Sequence, residues 1–478
     1  MTGIALIIAF VIAIVVMILM ISKFKIHPFI SIMLVALVLG LVAGIPLVDG
    51  TAEDGTAING IVTVIVSGFS SVFTGSCIGL VIILGTIIGA VLEATGGALK
   101  LADMIVKVVG KKHPEFAMAL MGWVVSVPVF CDSGFVILNP IRKAMVQRTA
   151  ASSVMLTVAL SCGLYISHVF MPPTPGPIAA AGTLMEEGGL GMASADLLLV
   201  MGIGVLASIL PLIAGVIFAR FIGKKVQAED ENVSKEVTEE AYNELVATYG
   251  KLPGGINTLA PILVPVIFLA LGTISSMAGW TGVVADACTF LGKPVIALSC
   301  GVLCSVIQLA STGKLDKFHD LVQDSLKVVG PIIFITAAGS VLGKVIASTD
   351  MVNFIKSNAD VMQGLGIFFP FLLAAILKTA QGSSTVAITT TAGIVAPLMM
   401  TLGFDTPVAA ALLVMAIGAG AMTVSHANDS YFWVVTNFGA MQPEQGYKTQ
   451  TVLTGIMGVA GIIDVWIVYM VCQALGLC

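Results

Sequence analysis

The sequence predicts an all-α polytopic membrane protein made of two inverted repeats, and three observations carry that prediction. Of 478 residues, 58% are hydrophobic and only 10% charged, with a mean hydropathy of +1.06. Ordinary soluble domains carry about 25% charged residues, so a soluble globular fold is excluded. Apolar runs of roughly 20 residues, the length that crosses a bilayer as a helix, recur along the whole chain. Finally, "GTIIGAVLEAT" at 85–95 and "GSVLGKVIAST" at 339–349 match position by position.

The first 22 residues hold no charge, no basic leader and no small-residue cleavage site, so 3–22 reads as a first span. Further spans follow at 28–48, 75–93, 152–184 and 195–221, and the first repeat occupies 1–222. Within it, 115–147 is apolar but interrupted by small and polar residues, which predicts a re-entrant hairpin. The stretch 223–254 is hydrophilic, with mixed charge and a helical period ("VSKEVTEEAYNELVATYG"), and reads as a solvated linker without a site. The second repeat, 255–478, has spans at 256–276, 293–312, 328–347, 405–440 and 451–475 and a hairpin at 366–400.

A single glycine-rich match would mean little, because Gly-xxx-Gly is a common helix-packing device. However, "YISH" at 165–168 recurs as "TVSH" at 423–426, in the same order. Five spans per repeat is an odd number, so the second copy should be inverted. Lys and Arg placement agrees, since basic loops face the cytoplasm. With both termini outside, Lys23, Lys25, Arg142, Lys143, Arg220, Lys224, Lys225, Lys314 and Lys317 all fall inside, as does the linker. The eight Cys form no CxxC pair or Cys/His cluster, so neither a metal site nor a disulfide framework is expected. No cofactor or nucleic-acid partner is expected; the partner is the lipid bilayer of the cell (inner) membrane.

Polar groups at membrane depth are expensive and mark function. Two clusters occur per repeat. The first hairpin turns at "VPVFCDSGFVILNP", with Asp132, Ser133 and Gly134 at its tip, and the following span breaks at 167–177, "SHVFMPPTPGP". Prolines cannot continue a helix, since each lacks an N–H and clashes with the preceding turn. The second hairpin turns at "KTAQGSSTVAITTTAG", and its partner break at 425–431 is "SHANDSY". Broken helices at the midplane are how transporters build sites: half-helix N-termini face anions, while carbonyls and hydroxyls hold cations. Plainer readings stand beside this one. Ser and Thr often bond their own backbone, His168 and His426 fit as interhelical donors, and Lys378 fits as one half of a structural ion pair. Glu93 and Asp464 suit snorkelling or helix pairing.

At "PVFCDSGFV", "SHVFMPPTPGPIAAAG", "GSSTVAITTTAGIVAP" and "SHANDSYFW" the chain resembles the gluconate permease (GntP) family of the ion transporter superfamily, over essentially its whole length. The resemblance implies an elevator: a dimerising scaffold, and a transport domain with both hairpins and both breaks that slides across the membrane. It also implies proton-coupled import of a small hydroxy or amino carboxylate such as gluconate, glycerate or D-serine. Thr174 stands where gluconate- and D-serine-type members commonly have His, and the pair around Asp132 departs from several members, so the particular acid stays open.

The expected function is therefore secondary active uptake of a small organic anion. Hairpin-tip N–H groups at Gly134 and Gly382, with the hydroxyls of Ser133, Ser383, Ser384 and Thr385, would hold its carboxylate and hydroxyls. His168, Asn428 and the break at Thr174 would complete the cradle, and Asp132, His426 and Asp429 are the candidate proton carriers. Sodium coupling is the rival, because "SHANDS" and "QGSST" resemble sodium-binding hairpins of distant relatives. An intramembrane enzyme lacks an HExxH helix, a nucleophile elbow and a P-loop. A channel is the third class, and concentrative uptake would dispose of it.

Overall fold

A computed structural model describes residues 4–51, 57–74, 77–101, 104, 113–149, 151–190, 195–232, 246–277, 279–350 and 366–478. The chain opens with α1 (Ile4–Ser22) and α2 (Pro28–Ala43). Pro28 suits the first turn of α2, where its missing N–H has no partner to lose, and Gly44 ends the helix in the left-handed region at φ 94°. A two-residue β ribbon pairs Gly50–Thr51 with Ala57–Ile58. Beside it, Asp49 accepts from Gly60 N at 2.6 Å and Thr63 Oγ1 at 2.8 Å. The Gly60 bond, then the Thr63 bond, holds this carboxyl below its usual range.

Next come α3 (Ile61–Ser70) and α4 (Ile78–Ala94). The expected first hairpin is a helix pair, α5 (Pro114–Val125) and α6 (Cys131–Thr149). The span after it is split into α7 (Ser153–Phe170) and α8 (Pro175–Glu187), with the prolines of 172–175 in between. Then α9 (Ala195–Ala207) and α10 (Ile209–Ile222) lead to the linker. After it stand α11 (Gly255–Met277), α12 (Val283–Leu291), α13 (Pro294–Thr312) and α14 (Phe318–Ala347). The second hairpin pairs α15 (Phe368–Gln381) with α16 (Ser384–Val395). Finally, α17 (Pro407–Met422) and α18 (Ser430–Phe438) flank the second break, and α19 (Val452–Ala474) closes the chain.

Three details depart from the sequence expectation. Two short helices, α3 and α12, were not expected; at 10 and 9 residues they fall below the spanning length by which runs were sought. Helix α14 is 30 residues long and starts well before 328, because Pro331 is accommodated inside it. The linker is not simply solvated. Its opening turn, Glu229–Asn232, is clasped by the fold, with Glu229 N donating to Ala440 O at 3.0 Å and Gln442 Nε2 to Glu229 Oε1 at 2.5 Å. Most of the helical period at 233–250 lies outside the described residues.

Most helix contacts fall within two groups, α1–α4 with α11–α14 and α5–α10 with α15–α19, and the heaviest packing between the groups is that of α14 on α16. Among the described residues, six helical stretches are long and apolar enough to cross a membrane. Their burial varies from span to span within both groups, and the split span over α7 and α8 is the most enclosed. Gly255–Gly272 is 28% buried and Pro294–Thr312 is 39% buried, whereas Ser153–Glu186 is 94% buried. Apolar side chains of α11 and α13, such as Leu263, Ile267, Leu303 and Ile307, stand exposed. Such a surface is stable only against lipid or protein. The chain is an integral membrane protein whose α7–α8 and α17 are its interior.

The groups meet through glycines. A Cβ on Gly85 would stand 2.9 Å from Pro173 O, and one on Gly89 would stand 2.2 Å from Pro128 O. On the other side, a Cβ on Gly393 would lie 2.3 Å from Gly339 O. Gly85 and Gly339 are the glycines that open the two matching segments. Both segments therefore bring α4 and α14 backbone-close to the polar breaks and hairpins.

Candidate functional site

Three helix N-termini and the end of α7 converge on one open cavity of about 290 Å³, near the lower end of the roughly 300–1,000 Å³ usual for small-molecule sites. Its lining is Phe130, Cys131 and Asp132 at the start of α6, Tyr165 and His168 on α7, Gly382–Thr385 at the second hairpin tip, and Asn428–Tyr431 at the second break. Each N-terminus presents unpaired N–H groups and a positive dipole end. On two of them an acid already answers that charge. Asp132 sits in the first turn of α6, and Asp429 caps α18 by accepting from Tyr431 N at 3.1 Å. Helix α16 has no acid in its first turn, and Ser383 caps it by accepting from Val386 N at 3.3 Å.

The two acids are held very differently. Asp429 Oδ2 takes Lys378 Nζ at 2.6 Å, Ser425 Oγ at 2.5 Å and Tyr165 OH at 3.4 Å. Lys378 is fully buried, also donates to Gly382 O, and lies over the Tyr165 ring at 5.6 Å. This is a desolvated, fully partnered ion pair, and only such pairing makes a buried charge tolerable. Asp132 is held loosely, with the Ser430 hydroxyl at 3.4 Å and the Cys131 thiol at 3.9 Å. The cavity opens past Asn428 and Ser430, which are exposed.

Of the residues singled out from the sequence, Asp132, His168, Gly382, Ser383, Ser384, Thr385, Asn428 and Asp429 line this cavity. Gly382 has φ 86°, and a Cβ there would stand 2.1 Å from Asn428 O, so the second tip rests directly on the second break. Asn428 Nδ2 donates to Thr379 O at 2.9 Å, and His426 Nε2 lies 3.1 Å from the same oxygen. His426 thus secures the break to α15 outside the lining. Gly134 also stands apart, its Cβ position 2.7 Å from Leu164. The Ser133 side chain falls outside the described residues. Thr174 is buried beneath the first break, where its hydroxyl donates to His168 O at 2.9 Å and Met171 O at 2.6 Å. It closes the frayed end of α7 and does not line the cavity.

Sequence reasoning assigned no role to Tyr165, Phe130, Ser430 or Tyr431, all of which line it, and it noted Cys131, which also lines it, only as one of the pair around Asp132. A signal existed for Tyr165: it precedes His168 by three positions, which places both on one helix face. Their rings stack at 6.4 Å and 9°. Tyr165 and Tyr431 meet at 5.0 Å. Asp464, expected to snorkel or to pair between helices, accepts from Leu210 N of α10 at 2.8 Å.

Comparison with known proteins gives the family. The GntP family permease model matches residues 5–471. A gluconate permease of Zymomonas mobilis is 31% identical over 460 residues, covering 94% of this chain and 95% of its own. The Gnt-II system L-idonate transporter of Escherichia coli is 27% identical, covering 92% of this chain and 94% of its own. In fold, the chain is similar to the YdaH transporter of Alcanivorax borkumensis, with a TM-score of 0.64 and 17% identity over 94% of this chain and 99% of that one. A match this long to permeases sets aside the intramembrane enzyme: the chain is a membrane transporter and belongs to the GntP permease family.

Proposed function

We propose that this protein imports a small hydroxycarboxylate, a sugar acid of the gluconate type, together with a proton. One observation carries the reading: a helix N-terminus without its own acid, that of α16, shares a cavity with a loosely held carboxyl, Asp132. The substrate carboxylate would take the N–H groups of the α16 tip and the hydroxyls of Ser383, Ser384 and Thr385. Its hydroxyls would reach Asn428 and His168. The gluconate and L-idonate relatives support a polyhydroxylated acid of this size.

Of the candidate carriers, Asp132 fits proton coupling best. Asp429 already has Lys378, so the pair is neutral in sum, and an entering anion would meet the charge of Asp132 alone. Protonating Asp132 removes that repulsion and lets the loaded site cross with less charge. Moving one net elementary charge through 100 mV is worth about 2.3 kcal/mol, enough to matter for accumulation.

We further propose two inverted repeats, 1–222 and 255–478, each contributing one hairpin and one break to the site. The α5–α10 and α15–α19 group, which supplies the whole cavity lining, would be the moving transport domain, and the α1–α4 and α11–α14 group a scaffold that pairs in a homodimer. Both termini would lie outside the inner membrane, with the linker in the cytoplasm.

Right-side-out vesicles test the function directly. Labelled D-gluconate should accumulate in a sodium-free buffer, and a protonophore should abolish accumulation. Asp132→Asn should lose accumulation while retaining gluconate counterflow. Uptake that survives the protonophore and requires sodium would overturn proton coupling.

A further inference from the structure

We infer that a buried polar seam along α7 conducts protons between the cavity and the linker face, an inference that rests on the proton-coupled reading above. Helix α7 carries Ser153, Thr157, Ser161 and Tyr165 at intervals of four, which places them on one face. All four are buried. At the cavity end, Tyr165 OH reaches Asp429 Oδ2 at 3.4 Å. One turn down, Ser161 Oγ donates to Gln450 Oε1 at 2.7 Å, and its carbonyl accepts from Tyr431 OH at 3.3 Å. Thr157 lies against Gly439, whose Cβ position is 2.7 Å from the Thr157 methyl. At the far end, Ser153 Oγ donates to Asp230 Oδ1 at 2.5 Å, and Arg142 Nη2 meets Asp230 Oδ2 at 2.7 Å. The seam thus runs between two carboxylate–cation pairs, Asp429 with Lys378 and Asp230 with Arg142.

An independent observation sets this stripe apart from ordinary packing. Thr157 Oγ1, Gln450 Nε2 and Thr451 Oγ1 are buried polar atoms without a protein partner. Nearly all such atoms are satisfied in folded proteins, commonly by buried water. The three belong to one region, beside a π-helical turn over Tyr447–Thr451 that carries Gln450; such turns recur at functional sites. The short hydroxyl side chains of Ser153, Thr157 and Ser161 stand one helical turn apart, about 5–6 Å at Cβ, a gap that one water bridges. The longer Tyr165 side chain carries the line to Asp429. The seam is therefore a line of hydroxyls completed by water.

Conduction needs no net charge on any rung. Each hydroxyl or water passes its own proton on as it accepts one; Ser161 does so by turning its hydroxyl from Gln450 Oε1 to the neighbouring water, and Gln450 itself gives up no proton. A proton leaving the Asp132 carboxyl enters through cavity water and Tyr165. It reaches water at Asp230 as hydronium, leaving Asp132 as carboxylate. The proton's exit is thereby separate from the opening past Asn428 and Ser430 that the sugar acid uses.

Proteoliposomes with an internal pH dye and external D-gluconate test this. Thr157→Val and Ser161→Ala should slow gluconate-driven proton influx by about tenfold or more, a barrier change of roughly one tenfold step. Gluconate counterflow, which requires no net proton movement, should stay near wild type, and Thr157→Ser should restore proton influx. Wild-type proton influx in both variants would overturn the seam, as would a Thr157→Ser variant as slow as Thr157→Val. Wild-type protein that accumulates gluconate without proton influx would end the coupling reading and the seam together. That result is visible before any substitution is made, so the two failures are distinguishable.

Discussion

At the scale of single residues, the buried pair of Lys378 and Asp429 organises the site. Its nitrogen touches the second hairpin through Gly382 O, and its carboxylate touches the second break and α7. Removing one member of a buried pair leaves an uncompensated charge, a loss of about 3–5 kcal/mol. Lys378→Met should therefore lower thermal stability in detergent sharply. Adding Asp429→Asn should recover most of it, because the second change removes the stranded charge. A double variant as unstable as the single one would show that Lys378 stabilises by packing instead. Much of this chemistry was legible from residue type: an Asp or Lys at membrane depth has few reasons to be there. The division of labour between Asp132 and Asp429 was not, because sequence does not say which carboxyl the lysine reaches.

At the scale of elements, each break has a local cause. Prolines 172, 173 and 175 end α7 and start α8, and the run from Thr423 to Asp429 separates α17 from α18. Val424 sits in the second break at φ 57°, a left-handed conformation that is strained for a β-branched side chain. Gly382 sits across from it at φ 86°, where no side chain fits. The two should respond oppositely. Val424→Gly relieves strain of about 1–3 kcal/mol and should not lower the melting temperature, whereas Gly382→Ala should abolish uptake, measured in the same vesicles at matched expression. Equal tolerance of both would mean that the tip and the break need not touch. The hairpins and breaks were legible because prolines, glycines and polar runs interrupt apolar sequence. The short helices α3 and α12 were not, since ten or fewer apolar residues resemble any loop-flanking segment.

At the scale of the whole molecule, two helix groups touch through Gly85, Gly89, Gly339 and Gly393. If one group slides past the other, these glycines keep the seam smooth. Gly89→Ala puts a methyl 2.2 Å from Pro128 O, so the seam must open for it. Transport should slow about tenfold, the effect of one 1.36 kcal/mol step in a barrier. Gluconate binding, followed by thermal shift, should change little, because the Cβ position of Gly89 meets Pro128 and Val129 and no residue of the lining. Loss of binding in parallel with rate would argue that Gly89 serves the fold and not the motion.

Apolar length, charge placement and repeated motifs by themselves determined that this is a helical membrane protein with four polar interruptions, because lipid tolerates only helices and closed barrels and unbroken apolar runs of about 20 residues select helices. Those constraints are local and survive in one dimension. Tertiary structure decided that both hairpin tips and the second break share one cavity, which the first break joins only through His168, that His426, Gly134 and Thr174 stand outside it while Tyr165 and Tyr431 enter it, and that Asp230 of the linker returns to Arg142. These are contacts between residues far apart in the chain, set by helix packing, and no spacing along the sequence encodes which side of a helix a partner will approach.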